Sequence, residues 1–79
     1  MVRGALMAQL TVREYDALES AIRDRRRIVV RRRRQDITVV PDRLITRGGR
    51  EAIEARHPAT GDHVLLWIDE AESVEVVPK

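Results

Sequence analysis

Apolar residues recur at two different spacings along this chain. Between positions 11 and 24 they fall three and four apart: Tyr15, Leu18 and Ile22, with Ala17 and Ala21 beside them. That is one narrow stripe on a helix laid against a core. The opposite face carries Arg13, Asp16, Glu19, Ser20 and Arg23. The stripe opens on a capping box, TVRE. Thr11 can accept from the backbone of Glu14, and Glu14 can reach back to Thr11. Leu10 and Tyr15 flank the cap as a hydrophobic staple. From position 27 the pattern shortens to short β-branched runs. Ile28-Val29-Val30 is the first, and Ile37-Thr38-Val39-Val40 is the second. Pro41 interrupts the second, so its ladder bends or ends there. Leu44-Ile45-Thr46 resumes it, Gly48-Gly49 supplies a hairpin turn with positive φ, and Ala52–Ala55 returns. Pro58–Asp62 is a loop. Val64–Ile68 is the most apolar strand, and Val74–Val77 is the last, before Pro78.

These elements predict a mainly β fold: an N-terminal α-helix over about 12–24, then strands over about 27–34, 36–46, 50–57, 63–68 and 73–77. One helix followed by five short, bent strands suggests a small Sm-like or SH3-like barrel. Such a barrel hides its sheet edges by closure, and the helix plugs one open end. The single domain is expected over 10–79, behind a flexible leader at 1–9 in which Met7 is an alternative start.

Length and composition bound the function. Seventy-nine residues make one small domain. Cysteine is absent, which removes disulfides, zinc-finger spacings and thiol chemistry and fits a reducing cytoplasm. No uncharged apolar run approaches the ~20 residues of a membrane helix, so no membrane partner is expected. The net charge is only +2, but it is unevenly placed. Residues 23–36 hold eight arginines and two aspartates, whereas Asp69, Glu70, Glu72 and Glu75 lie within seven positions near the other end. Fourteen of the fifteen basic residues are arginine. A GC-rich genome also produces that bias, which discounts it as a functional sign.

Tyr15-Asp16, Leu18-Glu19, Ala21, Leu44 and Ile68-Asp69 resemble the Rho-binding antiterminator family, over about residues 10–77. That resemblance implies an Sm-like barrel with an N-terminal helix. It also implies an acidic surface, here Asp16, Glu19 and the acidic tail, set against a basic protein of the transcription machinery. Val40-Pro41, Leu44, Gly48-Gly49-Arg50, Ile53, Ala55 and Ile68-Asp69 are also similar to the WYL domain, another Sm-like barrel of bacterial transcription regulators. Its Trp-Tyr-Leu signature would fall at Glu51-Ala52-Ile53, and Glu70 stands where that family usually has arginine. The WYL ligand role is therefore not carried over. The two resemblances agree on fold and differ on partner.

The arginines raise a packing question. Alternate side chains of a strand face opposite ways. Whichever of Ile28-Val29-Val30 points inward, two of Arg31–Arg34 share its face. An unpaired buried guanidinium is very costly. The strand is therefore expected to outrun the barrel after Val30 or Arg31. Gln35-Asp36 would then form the connection of a protruding hairpin. Four consecutive arginines there would make a phosphate clamp, because the guanidinium fork suits phosphate. The leading expectation is a non-catalytic bacterial regulatory module that binds RNA or DNA through Arg25, Arg26, Arg27, Arg31, Arg32, Arg33 and Arg34. Three readings stand beside it. The arginines could pair with Asp69, Glu70, Glu72 and Glu75. The chain could be a protein adaptor using Asp16, Glu19, Leu65 and Trp67. It could also be an Sm-like ring-forming homo-oligomer.

The remaining chemistry is thin. Only Tyr15 and Trp67 could stack on bases, and both are favoured as core, with an exposed Leu65–Trp67 pair as the alternative. His57, His63 and Asp62 bracket one loop, but their spacing matches no metal motif. Asp69 is expected to cap a short helical turn. No cofactor, metal or catalytic constellation is expected.

Overall fold

The computed structural model describes residues 10–78. The expected leader at 1–9 lies outside them. One helix, α1 (Val12–Asp24), precedes five strands: β1 (Ile28–Arg32), β2 (Gln35–Arg47), β3 (Arg50–Arg56), β4 (His63–Trp67) and β5 (Ser73–Val76). A 3-10 turn at Ile68–Glu70 joins β4 to β5. The protein is mainly β, with every strand pairing antiparallel in the order β4-β3-β2-β1-β5.

The capping box forms. The Thr11 hydroxyl accepts from the Glu14 N–H at 3.1 Å, and Glu14 Oε1 accepts from the Thr11 N–H at 2.9 Å. The helix ends at Arg25, which takes a left-handed backbone (φ 55).

β2 bends the sheet. Its first half pairs with β1, as far as Val39 opposite Ile28. Its second half pairs with β3, from Val40 opposite Arg56 onward. The ladder slips between Pro41 and Arg43. Proline offers no N–H to either neighbour, so a bulge and change of partner there cost least. The bend wraps both halves around one core of Leu18, Ile28, Val30, Val39, Ile53 and Leu66, all fully buried. Among the described residues no polar or charged side chain is buried.

One expectation about closure changes. The pairings do not join β4 to β5, so both remain sheet edges. The helix packs on β5 and β2.

Candidate nucleic-acid interface

β1 and β2 form a hairpin. Arg32 pairs with Gln35, so the turn is Arg33-Arg34. This corrects the expectation of a Gln35-Asp36 connection, since those two residues open β2. Both turn residues have positive φ, 51 and 66. That is the two-residue turn whose twist suits a hairpin, and it usually takes Asn-Gly. An L-residue with a long side chain adopts that backbone at a cost of about 1–2 kcal/mol.

The seven predicted arginines do not share one environment. Ile28 and Val30 point inward, and Arg32 follows them on the core side at the strand end. Its guanidinium stays half-exposed and lies 3.8 Å from Glu70. Arg31 faces out, 3.4 Å from Asp36 and 3.8 Å from Glu72. Half of the four-arginine run is thus paired with the acids of β2 and the acidic tail. Such exposed pairs are worth about 0–1 kcal/mol each, but they neutralise the base of the hairpin. Among the described residues, no carboxylate stands within ion-pair distance of Arg33 or Arg34.

Arg25, Arg26 and Arg27 lie at the other end of β1. Arg26 donates to the Val77 carbonyl at 3.1 Å. All three line a shallow cleft with Asp24, Val77 and Pro78. The five residues of β1 separate Arg27 from Arg33, six steps that span roughly 20 Å. The arginines form two basic clusters joined by a strand, not one patch.

Trp67 is not core. It is half-buried on the outer face of β4, beside the half-buried Leu65. The Arg50 guanidinium lies 4.1 Å from its ring centroid. Arg50 also donates twice to Asp69, at 2.8 Å each. That bidentate bond holds the Asp69 carboxyl below its ordinary pKa and raises that of Arg50. Asp69 therefore does not cap the 3-10 turn, whose N-cap is Trp67 without a side-chain hydrogen bond. The stack occupies one face of Trp67, which leaves that face closed to a base. Sequence reasoning missed Arg50, and no spacing between Arg50, Trp67 and Asp69 announces the contact.

Tyr15 lies against the core and donates its hydroxyl to Glu51 at 2.6 Å. The Glu51 hydrogen bond, aided by burial, pushes its pKa up to about 12. Asp16 and Glu19 are exposed on the outer face of α1. His57 Nδ1 accepts from the Ala59 N–H at 3.1 Å, which makes that histidine part of its own loop. No group of three potential metal ligands occurs among the described residues. No helix among them is long and apolar enough to cross a membrane.

Comparison with protein-family models finds no match, and comparison with curated proteins finds none either.

Proposed function

We propose that this chain is a small non-catalytic regulatory module that binds nucleic acid through the Arg33-Arg34 hairpin tip, with Arg25 and Arg27 as a second contact. One observation carries the reading. The tip holds two arginines without a carboxylate partner among the described residues, in backbone conformations that asparagine and glycine adopt more cheaply. Arginine at such a turn gives up stability, and the charge it presents is what phosphate recognises. Arg31 and Arg32 stiffen the base of the hairpin through their carboxylate partners and leave the tip to the ligand.

Binding of this kind is electrostatic. With one face of Trp67 covered by Arg50, base stacking contributes little, and sequence preference is weak. The test is fluorescence anisotropy with labelled single-stranded RNA and duplex DNA across a salt series. Four phosphate contacts, from Arg25, Arg27, Arg33 and Arg34, correspond to a slope of log K against log salt of about −3 on a single strand. Absent binding, or binding indifferent to salt, overturns the proposal.

A second reading draws on Asp16 and Glu19. Both are exposed and without an ion-pair partner among the described residues, and the resemblance to the Rho-binding antiterminator family assigns that face to a basic protein. Charge reversal separates the two readings. Neutralising Arg33 and Arg34 abolishes nucleic-acid binding under the first, and reversing Asp16 and Glu19 leaves it intact.

A further inference from the structure

The two sheet edges are finished differently. Which backbone groups face each edge follows from the turns. A two-residue hairpin closes on a hydrogen-bonded pair, and such pairs alternate along an antiparallel ladder. In β1–β2 the closing pair is Arg32–Gln35, so Val29 and Arg31 turn their N–H and C=O toward β5. They meet Glu75 and Ser73. Val74, between those two, must point its N–H away from the sheet. It does, and Glu14 Oε2 accepts it at 3.1 Å. The carboxylate that caps α1 therefore also covers the edge of β5.

The same rule applies to β4. Arg47–Arg50 closes the β2–β3 hairpin, so Ile53 and Ala55 bond to Leu66 and Val64. His63 and Leu65 are left with N–H and C=O groups directed outward, and Trp67 with its N–H, since its carbonyl accepts the first bond of the 3-10 turn. No described strand pairs with that edge. The strand, HVLLW, has none of the usual guards: no proline, no lysine and no bulge.

We propose that the β4 edge pairs with the β4 edge of a second copy of this chain, antiparallel, about a two-fold axis at Leu65. Three features select this occupant. The edge is self-complementary: Leu65 bonds reciprocally to Leu65 of the second copy, and at each end of the ladder the Trp67 N–H donates to the His63 carbonyl of the other copy. Those contacts satisfy both outward groups of Leu65, the Trp67 N–H and the His63 carbonyl. The charges one strand back are already neutralised, Glu54 by Arg43 and Arg56 by Asp42, each at 3.0 Å, so no like charges meet across the axis. The mixed arrangement, β4 against the β5 of another copy, is blocked because α1 occupies the β5 edge. The product is an isologous dimer with one continuous ten-stranded sheet. Two five-residue strands bury less than the roughly 1,200 Å² of a stable complex, so the dimer is expected at about 0.1–1 mM.

Sedimentation equilibrium from 10 µM to 1 mM tests it, with amide exchange read by NMR at both ends of that range (roughly two decades, chosen to bracket the weak affinity). In dilute solution the amides of His63, Leu65 and Trp67 exchange fast while those of Val64 and Leu66 are protected. At high concentration those of Leu65 and Trp67 become protected. Leu65→Pro removes an outward N–H and leaves the bonds to β3 in place, so the monomer folds and association falls at least tenfold. Leu65→Lys gives the same loss without touching the backbone. A monomer throughout the range overturns the proposal, as does a dimer indifferent to both variants. Protection of His63, Leu65 and Trp67 in the dilute monomer also overturns it, because another segment then already covers the edge.

Discussion

Replacing Arg33-Arg34 with Asn-Gly should make the protein more stable and a poorer ligand for nucleic acid. Each of the two arginines sits at positive φ, which costs an L-residue about 1–2 kcal/mol. Asparagine recovers part of that. Glycine recovers nearly all but returns about 0.5–1 kcal/mol as lost chain entropy. The net gain is about 1–1.5 kcal/mol. A domain of this size moves about 4–8 °C per kcal/mol, so the melting temperature should rise by about 5–10 °C. Neither arginine has an ion-pair partner among the described residues, so no favourable contact offsets the gain. On the binding side, two phosphate contacts disappear, and the salt slope on a single strand flattens by about 1.4. Circular dichroism melting and anisotropy on the same preparations read both effects. The double substitution Arg33→Lys with Arg34→Lys is the control: it keeps the charge and the backbone cost, so both readouts stay near wild type. A melting temperature that is unchanged or lower refutes the strain argument. A higher one with undiminished binding refutes the tip as the contact.

Three further outcomes follow from the packing. Glu14→Ala removes the reciprocal cap and the acceptor for Val74, and should cost about 1–2 kcal/mol in chemical denaturation. Hydrogen bonds from Thr11 and Val74 hold the Glu14 carboxyl below its ordinary 4.5, so its contribution is present above that value and is lost as pH falls through the lower folded value. An acid titration of stability should be shallower in the variant. Tyr15 should titrate near pH 12 in ultraviolet difference spectra and fall toward 10 in Glu51→Gln. Because its folded pKa is raised, the stability it confers is complete below pH 10 and fades as pH rises toward 12. Ile53→Ala opens a cavity in the middle of the sheet at about 2–5 kcal/mol. That is a large share of the roughly 4–12 kcal/mol expected for 79 residues, and a variant that melts at the wild-type temperature would contradict the placement of the core.

The helix and the strands were legible because their signals are local. Thr11, Glu14 and the Tyr15-Leu18-Ile22 spacing define α1 without any tertiary information, and Gly48-Gly49 marks its hairpin by backbone freedom alone. The other hairpin was misread by two residues because its turn carries no glycine. A signal was present: Ile28 and Val30 mirror Val39 and Ile37 about the point between Arg33 and Arg34. Composition pointed to Gln35-Asp36, and the symmetry of the inward residues is what decides the register. The split of the arginines into paired and unpaired members was not readable. It depends on the 3-10 turn carrying Glu70 and Glu72 back to the strand end, across about forty residues of chain. Trp67 was misplaced for the same reason, since Arg50 reaches it only after β3 and β4 are in register.

The distribution of charge explains how so small a sheet tolerates so many arginines. Core positions exclude them, and on β2 and β3 Arg43 pairs with Glu54, Arg56 with Asp42 and Arg50 with Asp69, while Arg47 at the Gly48-Gly49 turn has no carboxylate within ion-pair distance among the described residues. The acidic tail is drawn to the base of the β1–β2 hairpin, where Glu70 and Glu72 meet Arg32 and Arg31. What pairing leaves over on β1 is pushed to its two ends, the tip at Arg33-Arg34 and the cleft at Arg25–Arg27. A net charge of +2 thus conceals two local concentrations of positive charge roughly 20 Å apart. A ligand that answers only to net charge would bind weakly, and one that carries regularly spaced phosphates can reach both. That spacing favours a polyanion over a single small anion, because each cluster alone offers only two or three guanidinium groups.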